Sequence, residues 1–206
     1  RSNQAYFDLR SPQGPDVYAA DRTMLGNRQE KWLFDGLAAS ETRWNLIAQQ
    51  VLLLNLTGKG PEDTEKVASM DQWAGYLHSR RRLLDHIDRH RPGNVVTVSG
   101  DAHLHFAGDL IQDNGDGKVI SSEFSATSIT SGRDGTPDEG YLKGAKDQNP
   151  QLKAIVNQRG YTMCEVTPQA WHADMKVLDK VSTPGGTLST FASFDIEHGK
   201  PGLQRA

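Results

Sequence analysis

The stretch from residue 94 to residue 105, NVVTVSGDAHLH, constrains the fold more than any other part of the chain. Val95, Val96 and Val98 form a β-branched run between Pro92-Gly93 and Gly100. That is the pattern of a central strand in a sheet covered on both faces. Gly100 ends the run and delivers Asp101, His103 and His105 at its carboxyl end. In open α/β sheets this edge is where ligands bind. A carboxylate and an imidazole two residues apart can both reach one hard or borderline cation. The same residues also read as a turn aspartate followed by surface histidines.

A chain of 206 residues suffices for one domain with a sizeable core, or for part of a larger one. Lys and Arg number 23 against 26 Asp and Glu, giving a net charge of -3. This balance does not suggest a nucleic-acid or membrane-surface protein. Cys164 is the single cysteine, which rules out an intrachain disulfide and a cysteine-based zinc knuckle. Its setting, Tyr161-Thr162-Met163-Cys164-Glu165-Val166, predicts a strand with a buried thiol. The longest apolar run, Val51-Leu52-Leu53-Leu54, is too short to cross a bilayer. The chain opens on Arg1-Ser2 without a methionine, so the beginning of the protein, with any export signal, is expected to lie upstream.

Residues 5–10 read as a strand broken by a Pro/Gly-rich loop at 11–15. Over residues 28–37, Trp32, Leu33 and Leu37 fall on one helical face, and Ser40 starts a new element. Residues 44–48 read as a buried strand continuing toward Gln49-Gln50, followed by a turn-rich loop at 58–61. A second helix is expected to run to about His90, with Leu83, Leu84 and Ile87 inward and Arg80, Arg81 and Arg82 in solvent. This alternation is α/β organisation. After Asp101, strands are expected at 106–111, 119–124, 160–167, 171–178 and 188–196, so the second half reads as mainly antiparallel β. The polar stretch 133–149 reads as a long loop, a functional lid or a mobile segment.

Several motifs compete for a chemical role. Asn114, Asp116, Gly117 and Glu123 match places of a calcium-binding EF-hand loop, but Gln112 stands where its first Asp belongs. Asn114-Gly115-Asp116-Gly117 between two strands is better read as a hairpin. Ser128-Ile129-Thr130-Ser131-Gly132 does not supply the Gly-x-Ser-x-Gly elbow of a serine hydrolase. Neither a Walker loop nor a Gly-x-Gly-x-x-Gly turn opening a helix is present. Asp71, ahead of Trp73, Gly75 and Tyr76, reads as a helix N-cap, a site carboxylate, or both.

Taken in order, Asp8-x-Arg10, Met24-Leu25-Gly26-x-x-Gln29-x-x-Trp32-Leu33, Trp44-(x)4-Gln49-Gln50, Asp71-x-Trp73-x-Gly75-Tyr76, Gly100-Asp101-x-His103 and Asn149-Pro150 before Arg159-Gly160-Tyr161 resemble the alkaline phosphatase D (PhoD-like) family. The likeness ends on Gly199-Lys200-Pro201-Gly202. That family belongs to the calcineurin-like metallophosphoesterases. The resemblance implies an αββα two-sheet sandwich, hydrolysis of phosphate mono- and diesters, and export from the cytoplasm. It implies iron with calcium as cofactors, although Asp and His ligands also suit zinc or manganese. Carried over residue by residue, it points to Asp71, Asp101 and His103 as metal ligands, with Asp101 and His103 at the catalytic centre. His105 and Phe106 depart from the family pattern, which leaves His105 without an expected role.

The family's remaining ligands have no counterpart upstream of Asp71, and Cys164 is misplaced to be the iron ligand. Residues 1–206 are therefore expected to form the carboxyl-terminal part of one metallophosphoesterase domain, with a missing amino-terminal half as partner and no separate second domain. The competing expectation is a non-catalytic fragment or binding module that lacks a full metal cluster.

Overall fold

In the computed structural model, residues 10–60, 65–112, 117–137 and 139–206 are described. The first elements are β1 (Arg10–Ser11), α1 (Asn27–Ala38), β2 (Trp44–Ala48), β3 (Thr57–Lys59), β4 (Lys66–Ser69) and α2 (Leu77–His90). They are followed by β5 (Asn94–Ser99), β6 (His105–Ile111), β7 (Val119–Ser125), β8 (Gly135–Thr136) and α3 (Glu139–Gln148). The chain closes with β9 (Leu152–Val166), β10 (Ala170–Leu178), β11 (Leu188–Glu197) and β12 (Gln204–Arg205). Single 3-10 turns form at Pro15–Tyr18 and Trp73–Gly75.

The main sheet runs β12-β11-β10-β9-β6-β7-β5-β2, with β8 attached to β9, and a small sheet β1-β4-β3 stands apart from it. β2, β5 and β7 are parallel. The pairs β7–β6, β6–β9, β9–β10 and β10–β11 are antiparallel.

The β-branched stretch is the interior strand its composition demands: Val95, Val96 and Thr97 are buried in β5 between β2 and β7. Its side chains alternate between two cores. Val95 joins Leu83, Leu84 and Ile87 of α2 and Leu37 of α1, whereas Val96 joins Phe124, Trp171, Ala173, Met175, Phe194 and Ile196. Helices therefore cover one face of the parallel strands, and the folded-over β10–β11 sheet covers the other. This is an α/β sandwich.

β9 belongs to both sheet layers. Its first half pairs with β6 from Val156 to Leu152, and its second half pairs with β10 from Arg159 to Val166. Gly160 marks the crossover, where a Cβ would come within 1.9 Å of the Lys176 carbonyl oxygen.

Four expectations are corrected. Residues 133–149 are not one loop, because they carry β8 and α3. The strand expected at 160–167 begins eight residues earlier, at Leu152. Cys164 is exposed rather than buried, because β9 runs beyond the cover of the core there. Arg80 is 1% exposed, while Trp32 on α1 is 71% exposed. The expected strand at 5–9 and the hairpin turn at 113–116 lie outside the described residues. The strands flanking that turn do pair antiparallel, closed by Gln112 N–H donating to Lys118 O.

Candidate active site at the strand ends

Because β2, β5 and β7 are parallel, their carboxyl ends open on one edge. The segments that leave them bring Gln49 to Leu54, Gly100 to Leu104 and Ala126 to Gly132 to that edge. Asp101 and His103 both have left-handed backbones, with φ of 69° and 55°. For residues other than glycine this costs roughly 1–3 kcal/mol each, and such strain gathers at functional sites. Both side chains are exposed, while Ala102 and Leu104 between and after them pack against the core. The strained turn thus holds its apolar members in and its acid and imidazole out.

The turn rests on a fixed base. Gly100 N–H donates to Gln50 O at 3.1 Å, and Gln49 N–H donates to Val98 O at 3.0 Å. Glu123 on β7, fully buried, accepts from Leu53 N at 2.9 Å, Leu54 N at 2.6 Å and Ser99 Oγ at 2.7 Å. Burial pushes its carboxyl pKa up, against the pull of those three hydrogen bonds and of the Arg80 charge. Arg80 holds the same loop from the other side, donating from Nε to Leu53 O at 2.7 Å and from both terminal nitrogens to Ile111 O. Neither Glu123 nor Arg80 stood out in the sequence as a support of this edge.

Asp71 reaches the region by another route. Trp73 N–H donates to Leu52 O at 3.2 Å and its indole N–H to Gln49 Oε1 at 2.7 Å. The half-buried Asp71 therefore sits in a turn fastened to the loop after β2. A Cβ at Gly75 would meet Met70 O at 2.2 Å, which explains the glycine in the Asp71-x-Trp73-x-Gly75-Tyr76 pattern. Asp71 does not cap a helix: α2 is preceded by Tyr76 and the Trp73–Gly75 turn by Gln72.

Next to these residues a cavity of about 560 Å³ is lined by Gln72, Ala102, Leu104 and Phe106, with Arg10 and Lys59 at its polar side. A cavity of about 410 Å³ around Asn94 and His198 borders the opposite end of β5 and does not touch them.

His105 is withdrawn from the edge. It is fully buried, with Nε2 at 3.1 Å from Lys176 O, and burial pushes its pKa down. Its place is behind the turn, as a packed member of β6. Carboxylate and imidazole donors at Asp71, Asp101 and His103 are of the chemistry that binds iron, calcium, zinc or manganese. Among the described residues, however, no three His, Cys, Asp or Glu side chains are grouped to hold a cation. Asp101 and His103 share one turn, and Asp71 reaches the region from a second.

Fold and edge together define an α/β sandwich whose candidate site lies at the carboxyl ends of parallel strands. The family model of PhoD-like phosphatases matches residues 1–175, and the chain belongs to the PhoD-like phosphatase family. It is 35% identical over 210 residues to alkaline phosphatase D of Bacillus subtilis (strain 168), an alignment covering 100% of this chain and 35% of that protein. A solved structure described as PhoD superimposes with a TM-score of 0.89 at 34% identity, covering 100% of this chain and 40% of the other. The chain thus spans about a third of the length of the curated relative it matches.

Proposed function

We propose that the protein carrying this chain is a metal-dependent phosphoesterase that hydrolyses phosphate mono- and diesters, and that the edge around Asp101 is its active site. Membership of a phosphatase family supports the reaction class. The observation that carries the location is the pair of left-handed residues, Asp101 and His103, held exposed on a rigid base.

Asp71, Asp101 and His103 are this chain's contribution to the metal shell. On this reading the remaining donors come from a preceding segment of the same protein, in keeping with a donor set that is not grouped among the described residues. The family resemblance names ferric iron with calcium, and zinc or manganese suit the same donors. A bound cation would polarise a phosphoryl oxygen and lower the pKa of a coordinated water. The chain's own residues orient and hold. Asp101 and Asp71 would offset positive charge, His103 would offer an imidazole nitrogen, and the Glu123–Arg80 brace keeps the turn from yielding. The apolar wall formed by Leu104 and Phe106 offers a seat to the organic part of an ester. Export fits the same reading, and among the described residues no helix is long and apolar enough to cross a membrane.

Asp101→Ala in the complete protein is expected to abolish hydrolysis of p-nitrophenyl phosphate and its bis-ester while leaving the fold intact by circular dichroism. Unchanged turnover in a folded variant ends the assignment.

A further inference from the structure

Arg159 is the most deeply buried cation near this edge without an acidic partner. It is 1% exposed, and no carboxylate lies within ion-pair distance among the described residues. Among the described residues its hydrogen bonds go only to neutral oxygens: Ser128 Oγ at 3.0 Å, Ser131 O at 2.7 Å, Asn157 O at 3.0 Å and Asn157 Oδ1 at 2.6 Å. Its Nε has no partner among the described residues. A buried charge left without a counter-charge is expensive, and proteins keep one where something else supplies the opposite sign.

The topology says where that charge points. β6 begins at His105, paired with Val156 of the antiparallel β9. The next residues of β9 therefore run past the start of β6, alongside the turn that holds Asp101 and His103. A Cβ placed on Gly132 would stand 2.8 Å from Arg159 Nη1 and 3.8 Å from His103 Nδ1, so guanidinium and imidazole flank the same glycine. The loop from β7 is clamped there on both sides. Gly160 N–H donates to Ser128 O at 3.1 Å, and β8 pairs Gly135 and Thr136 with Gln158 and Asn157.

We propose that Arg159 is a positioning residue of the hydrolytic site: its fork holds the loop from Ser128 to Gly132 against His103, and its uncompensated charge draws the phosphate anion to the strand ends. The proposal rests on the reading of this edge as a phosphoesterase site. The two functions of the side chain are separable. The planar fork reaches Ser128, Ser131 and Asn157 at once, whereas a lysine keeps the charge but not the fork. Loop placement governs turnover, and net positive field governs anion capture.

The experiment uses the complete protein, its R159K and R159A variants, steady-state kinetics on p-nitrophenyl phosphate, and calorimetric binding of inorganic phosphate. R159K is expected to bind phosphate as the wild type does, with kcat lowered by roughly tenfold. R159A is expected to lose roughly a hundredfold in kcat and to bind phosphate roughly tenfold more weakly. Added guanidinium at sub-denaturing concentration restores part of its turnover, and it restores nothing to Asp101→Ala. Wild-type kcat and phosphate affinity in both variants overturn the proposal. If R159A does not fold, R159K decides, and an unchanged kcat there overturns it. A wild type that binds phosphate through Arg159 yet hydrolyses no ester supports the role of Arg159 and removes the phosphoesterase reading instead.

Discussion

Glu123 illustrates how a single residue braces a candidate site it does not enter. It collects three donors from two separate segments, the loop after β2 and the end of β5. In Glu123→Gln, an amide group replaces one acceptor oxygen, and at least one buried N–H loses its partner. The expected cost is about 2 kcal/mol in urea denaturation at neutral pH, with a fall in turnover because the Asp101 turn loosens. The strand that ends at the Asp101–His103 turn was legible because its β-branched run lies between Pro92-Gly93 and Gly100. Arg80 was hidden in a run of three arginines that reads as a solvated face. Its true place follows from the stripe Leu77, Arg80, Leu84, Ile87, which shares one helical side. The composition around Cys164 predicts a buried thiol, yet it is exposed, because nothing local in a sequence says that a strand outruns its core.

At the scale of elements, the outward side of β10 and β11 carries a charged network across the register. His172 Nδ1 lies 2.7 Å from Asp195 Oδ1 and its Nε2 3.2 Å from Asp174 Oδ1. Both ring nitrogens can donate only when the imidazole is protonated. The Asp195 hydrogen bond accordingly holds the His172 pKa above its ordinary value. A raised folded-state pKa means that the contribution is complete below about pH 6.5 and is lost as pH rises through the folded value. Asp174, bonded to Ser193 and Lys176, is held down to about 2, so its share is lost as pH falls below the ordinary carboxylate range. The melting temperature of His172→Gln should therefore trail the wild type at mildly acidic pH and converge with it in alkali. A constant gap across that range would remove His172 from the account. Helix α3 escaped the sequence reading because Gly140 and Gly144 and a polar composition give it little intrinsic helicity. The exposed Lys143–Asp147 pair, 2.7 Å apart at i,i+4, adds only a small increment.

For the whole molecule, the parallel strands that lead to the candidate site end abruptly. Among the described residues β2 is paired on one side only, and the strand expected to be buried has none of its residues buried, with Leu46 53% exposed. An unprotected strand edge of this kind invites a further chain. The 206-residue chain prepared alone should thus turn over p-nitrophenyl phosphate roughly a hundredfold more slowly than the complete protein and retain little metal on elemental analysis. Robust turnover by the isolated chain would contradict the shared-shell reading. The layer order was legible as a change from alternating helices and strands to strands alone. That β9 spans both layers was not, since its first half follows Asn149-Pro150 and reads as the tail of a loop. This shared strand has an evolutionary consequence. Side chains alternate along a strand, so deleting Asn157 or Gln158 would put the β6-paired half of β9 out of step with the half that pairs Arg159 onto β10, and one of the two would have to present its opposite face. Lineages should accordingly vary the length of the connection between β10 and β11 freely, and substitute within β9 without ever lengthening or shortening it there.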